Sequence, residues 1–171
     1  IGDSLPAAKF EMVEKPNDFI KNTKGSNSSG ELNKSQAERL EFWEQFNTVI
    51  AEKGKPFSIR KASTDHWYDV VLGITGVHIS ITLVNKANTV GVEVYIHDDK
   101  ALFDALLDKK VLIEAETGMT FSWERLDGKK ASRIKYSISG LDFDNHSNNH
   151  DLMVEIIDKV VIMRKVFRKY I

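Results

Sequence analysis

Asp69, Glu93 and His78 are two carboxylates and an imidazole that strand spacing brings within reach of one another. Strict every-other-residue alternation over Val77 to Val84 and Thr89 to Ile96, on either side of Asn85-Lys86-Ala87-Asn88, predicts a β-hairpin and its register. Val77, Ile79, Ile81 and Leu83 then share a buried face with Val90, Val92, Val94 and Ile96, and His78, Ser80, Glu93 and Tyr95 share the opposite one. A third strand over Trp67 to Leu72 extends this into rows. Asp69, Ser80 and Glu93 form the middle row, flanked by Val71, His78 and Tyr95 on one side and by Trp67, Thr82 and Gly91 on the other. The two acids are two strands apart, with backbones roughly 10 Å from each other. Paired carboxylates beside a histidine can hold a divalent cation or divide acid and base roles. The competing reading of the row is a solvated or helix-covered polar face.

Other reactive patterns are incomplete. A restriction-type nuclease site needs an acidic residue two positions before a lysine that steadies the attacking water. Tyrosine stands there in Glu93-Val94-Tyr95 and leucine in Glu124-Arg125-Leu126, so the sequence argues against phosphodiester cleavage by this chain. His66, His78, His97, His146 and His150 form no ligand pair on one element, and without cysteine there is no thiolate metal site, disulfide or thiol chemistry. No cofactor is expected. A basic cluster is the remaining candidate: Arg125, Lys129, Lys130 and Arg133, with Trp67 as a stacking platform, are the expected nucleic-acid contacts. Such charge runs also arise as solvated faces or as partners of helix ends.

The elements that position these residues follow from periodicity. Ser35 and Glu38 form a capping-box pattern, and Leu40, Trp43, Phe46 and Ile50 recur at helical spacing until Gly54, which predicts a helix over about 36–53. Phe57 to Lys61 reads as a short strand. Asp98 or Asp99 is placed to cap a second helix carrying Leu102, Phe103, Leu106, Leu107 and Ile113 and ending at Gly118. Asp127-Gly128 suits a two-residue hairpin loop, which would set Phe121 opposite Ile134, Trp123 opposite Ser132 and Glu124 opposite Ala131. A last helix over about 151–169, acidic early and basic late, is apolar enough to be central to the fold or shared with a partner. A homodimer through that C-terminal helix is therefore an expectation.

The 171 residues, 42% hydrophobic and 29% charged, support one domain with a real core. Residues 1–34 read as a linker or extended strap, in which Phe10, Met12, Val13, Phe19 and Ile20 are apolar enough to dock on a neighbour, and 35–171 as a single domain. The formal net charge of −1 confines any nucleic-acid surface to a local patch. Without an apolar run of about 20 residues or a signal-peptide core, no membrane association is expected and the location is expected to be cytoplasmic. A start at Ile1 rather than Met suggests an excised piece of a longer protein.

Glu41-Phe42-Trp43-Glu44, Ser63-Thr64-Asp65-His66-Trp67, Gly91-Val92-Glu93-Val94-Tyr95-Ile96, the block from Trp123 to Ile134, and Arg164-Lys165-Val166-Phe167-Arg168 resemble a prokaryotic family of uncharacterised domains. The resemblance covers about residues 32–171. Members of that family commonly follow a PD-(D/E)xK endonuclease-like domain in one polypeptide, which implies an upstream nuclease-like domain as a partner. No catalytic residue transfers from it. The combined expectation is an α+β domain, with an antiparallel sheet of about five or six strands packed on two or three helices. Its expected role is that of a noncatalytic C-terminal accessory domain contributing nucleic-acid contact, partner recognition or self-association. The alternative is an enzyme or metal-binding domain using Asp69, Glu93 and His78.

Overall fold

A computed structural model describes residues 32–171. The strap expected over 1–34 lies almost wholly outside the described residues. The first helix, α1 (Lys34–Glu52), begins in a reciprocal cap: the Gln36 amide donates to Asn33 Oδ1 at 2.8 Å, and the Asn33 amide donates to Gln36 Oε1 at 3.1 Å. This is capping-box logic with Asn and Gln in place of the expected Ser35 and Glu38. Its buried face carries Phe42, Trp43, Phe46, Val49 and Ile50. Trp43 and Phe46 pack against Tyr68 with ring centroids 5.1 and 5.2 Å apart.

Among the described residues five antiparallel strands follow the α+β expectation: β1 (Trp67–Ile74), β2 (Val77–Val84), β3 (Thr89–Ile96), β4 (Ser122–Glu124) and β5 (Ser132–Ser139), in the spatial order β1-β2-β3-β5-β4. The central hairpin has the register its alternation predicts. Val77 pairs with Ile96, Ser80 with Glu93 and Leu83 with Val90, while Asp69 pairs with Ser80 across β1 and β2. All eight residues assigned to the inner face of that hairpin are buried.

Phe57 to Lys61 is not a strand. The Arg60 amide donates to the Tyr68 hydroxyl at 2.8 Å and the Arg60 carbonyl accepts from Asn47 Nδ2 at 2.9 Å, so side chains satisfy this backbone in place of a ladder. The single helix expected after Asp99 is two, α2 (Lys100–Leu107) and α3 (Lys110–Thr117), which brings the α-helices among the described residues to four. Asp99 caps α2 by accepting from the Leu102 amide, and Gly118 closes α3 in the left-handed conformation. The break at Asp108 and Lys109 lets α2 bury Phe103 and Leu106 against β3 and β5 while α3 packs on the last helix. Leu107, expected in the buried stripe, is exposed.

That last helix, α4 (Asn149–Tyr170), is the centre of the helical layer. Leu152, Met153, Ile156, Ile157, Val160, Met163, Val166 and Phe167 are buried in the common core. Its apolarity is thereby accounted for within one copy of the chain. None of the helices among the described residues is long and apolar enough to cross a membrane.

Candidate binding face

The helices cover one side of the sheet, and the opposite side carries the rows anticipated from the sequence. The middle row now runs Asp69, Ser80, Glu93, Lys135 and Ser122, and its neighbour runs Val71, His78, Tyr95, Arg133 and Glu124. At the β1 end Val71 is 67% exposed and Trp67 38%. In the centre the short side chains are covered by longer ones. Lys135 lies across Gly91, where an added Cβ would meet Lys135 Cε at 3.0 Å and Thr82 Oγ1 at 2.6 Å, so a larger residue at position 91 would force both aside.

Asp69 meets His78, Glu93 lies two strands along the same row as Asp69, and cations stand beside both carboxylates. His78 Nε2 lies 3.5 Å from Asp69 Oδ1, and Arg60 Nη1 lies 3.8 Å from Asp69 Oδ2. Arg133 Nη1 is 3.8 Å from Glu93 Oε2, and Arg133 Nε donates to Glu124 Oε1 at 2.7 Å. The His78 ring stacks on Tyr95 at 5.0 Å. Glu93 is only 4% exposed, and burial pushes its carboxyl above the usual carboxylate range although Arg133 and Lys135 pull it down. Glu93 Oε2 and Arg60 Nη1 are both buried without a hydrogen-bond partner among the described residues. Among the described residues no group of three His, Cys, Asp or Glu side chains is placed to hold a metal ion. Sequence spacing put Asp69 and Glu93 in one row of the sheet, but it could not reveal Arg60, which reaches Asp69 from outside the sheet.

The residues expected to contact nucleic acid are spread apart. Trp67 lies on the edge strand β1, edge-to-face with His66 at 5.0 Å, while the basic loop joins β4 and β5 at the other edge. Four strand spacings separate those edges, about 19 Å. Arg125 is committed to two acids: its Nε and Nη2 donate to Asp104 Oδ1 and Oδ2 at 2.9 and 3.1 Å, and its Nη1 to Asp127. Arg133 is engaged by Glu124. Lys129 and Lys130 are exposed, with no ion pair to another described residue.

The β4–β5 connection departs from the expected hairpin. Trp123 pairs with Ile134 and Glu124 with Arg133, two residues displaced from the predicted register, which leaves the seven-residue loop 125–131. The even displacement keeps Phe121 and Ile134 inward and Glu124 and Arg133 outward. Lys100 Nζ, at the start of α2, explains the longer loop. It donates to the carbonyls of Leu126 at 3.1 Å, Ala131 at 2.8 Å and Arg125, and it lies 2.9 Å from Ser132 Oγ. Gathering three carbonyls around one ammonium places Leu126 in the left-handed region at φ 55°, and the Lys129 amide closes a turn onto the Leu126 carbonyl at 2.8 Å. No short-range signal in the hairpin sequence could have revealed Lys100, which lies 25 to 32 residues away.

Residues 38–171 match a family described as Domain of unknown function (DUF4268). No curated protein matches the chain. Among solved structures it is similar to the crystal structure of YbjN, "a putative transcription regulator from E. coli". That match has 14% identity and a TM-score of 0.37, covering 73% of this chain and 92% of that one.

Proposed function

Because the chain belongs to this family of uncharacterised domains, we propose its role from the uncovered side of its sheet: a noncatalytic accessory domain of a nuclease-like protein that contacts nucleic acid. The upstream nuclease-like domain is its partner within the longer polypeptide. The observation carrying this reading is that the four helices among the described residues pack on one side of the sheet, leaving Trp67 and Val71 exposed on the other side, with Lys129 and Lys130 on the β4–β5 loop exposed and without an ion pair to another described residue. An open face suits binding along an extended polymer better than enclosure of a small substrate. Lys129 and Lys130 supply the phosphate contacts, with Arg125 and Arg133 fixing the loop and strand that present them. Trp67 offers a separate stacking position at the far edge.

Fluorescence anisotropy with single- and double-stranded DNA at two salt concentrations tests this reading. Lys129→Glu with Lys130→Glu should weaken binding and make it less sensitive to salt, by about one unit of log–log slope for each phosphate no longer neutralised. Binding that ignores this charge reversal would overturn the assignment.

A second reading, a metal-binding or enzymatic site at Asp69, Glu93 and His78, draws on the burial of Glu93 in the same row as Asp69. Calorimetric titration with Mg²⁺ or Mn²⁺ tests it, and a flat titration removes the metal version. The cations around both carboxylates weigh against it.

A further inference from the structure

The outward side of α4 has a charge pattern that its inward side does not explain. Asp151, Glu155 and Asp158 are exposed along its first half and Lys165 and Lys169 along its second, with Val161 exposed between them. Helix dipole effects fade within the terminal turns, so they do not account for Glu155, Asp158 or Lys165 in the body of the helix. Asp151 with Glu155, and Lys165 with Lys169, are like charges four residues apart, each pair destabilising a lone helix by a few tenths of a kcal/mol. Intramolecular partners relieve this only in part. Lys53 reaches Asp158 at 3.5 Å and Lys169 donates to Glu116 at 2.5 Å, both at exposed positions, while Asp151, Glu155 and Lys165 form no ion pair with another described residue. Of the other basic side chains of this stretch, Arg164 donates to the carbonyls of Val71 and Pro56, Lys159 lies over the Tyr136 ring, and the exposed Arg168 has its guanidinium beside Gly73.

We propose that two copies of the chain associate through this stripe, with their α4 helices antiparallel about a two-fold axis near Val161 and Ile162. That arrangement places Asp158 of one copy opposite Lys165 of the other and Glu155 opposite Lys169, pairings that share almost the same midpoint. The acidic half of each stripe then meets the basic half of its counterpart, which a parallel arrangement would not achieve. An isologous interface requires such self-complementarity. The helix α3, which carries the exposed Val111 and Leu112, packs beside the basic half through Glu116 and Lys169, and Lys109 lies over Tyr170. One pair of 22-residue helices, about 33 Å long, makes a small interface. The dimer is therefore weak, and it dissociates on dilution and with salt. This inference rests on α4 and is independent of the nucleic-acid reading of the sheet face.

Sedimentation velocity on the full chain provides the test. Wild type should dimerise reversibly at high micromolar concentration. Lys165→Glu with Lys169→Glu makes every position of the proposed pairings acidic, and Glu155→Lys with Asp158→Lys makes every one basic. Each variant alone should show a dissociation constant raised at least tenfold, and a one-to-one mixture should associate at least as tightly as wild type. Thermal melts verify that both are folded. Because the chain has no cysteine, Val161→Cys offers a milder check: oxidation should give a covalent dimer, whereas Ser137→Cys on the sheet face should not. A monomeric wild type at all concentrations, a dimer indifferent to both charge reversals, a mixture that fails to associate, or equal crosslinking at positions 137 and 161 would each overturn the proposal.

Discussion

The β2–β3 and β4–β5 connections are both antiparallel and lie in the same sheet, yet different forces set their registers. In β2–β3 every inner position from Val77 to Leu83 and from Val90 to Ile96 is apolar and buried, so a slip of one residue would turn the whole set toward the opposite face. β4 offers only three residues to the ladder, and the loop after it takes its shape from an ammonium on another element. A long strand with a complete hydrophobic pattern determines its own pairing. A short one accepts the pairing that distant groups impose.

The largest expected effect comes from breaking the self-determined hairpin. Ile81→Ala, at a fully buried position in β2, should cost about 2–5 kcal/mol by chemical denaturation, through reduced burial and the cavity left behind. Next is the imposed connection. Lys100→Met keeps the length of the side chain but removes the donor shared by three carbonyls and Ser132, and it should cost about 2 kcal/mol, the scale of hydrogen bonds to a charged group. The loosening should be local: amide exchange should accelerate at Lys129 while β2 and β3 keep their protection. Equal loosening of both hairpins would contradict the comparison.

Glu93→Gln sharpens the contrast on the outer face and should have a smaller effect of opposite sign. Burial raises the folded-state pKa of Glu93 above the ordinary glutamate value of about 4.3. The stability linked to its proton is therefore fully present below that value and is lost as pH rises through the raised one. At pH 7 the charged carboxylate opposes folding, and the neutral amide should stabilise the protein, with the difference from wild type closing below about pH 4. Denaturation midpoints across pH 3–8 measure this, and a gain that grew on acidification would refute it. The smallest effect belongs to Arg125→Ala. Its pairs with Asp104 and Asp127 are exposed, so urea midpoints in high salt should coincide with wild type.

The candidate site divides along the same line. The row Asp69, Ser80, Glu93 was legible in the sequence because it follows from strand alternation alone. The arginines that neutralise it were not. Arg60 arrives from a segment whose backbone is held by Tyr68 and Asn47, and the alternation of β5 places Arg133 on the outer face without stating its partners. The basic cluster was legible as a composition, but which of its members are engaged depended on Asp104, an acid in α2. The same holds for the helix expected after Asp99. Its cap and its end at Gly118 are local signals and were found, whereas its break answers to two different packing partners.

The sequence by itself determined the α+β class, the central hairpin with its register, and the sorting of residues between the two faces of the sheet, because these depend on period and on burial of contiguous apolar sets. The tertiary structure alone decided the β4–β5 register, the division of α2 from α3 and the burial of Glu93. Each of those depends on groups far apart in the chain, whose meeting no local pattern encodes.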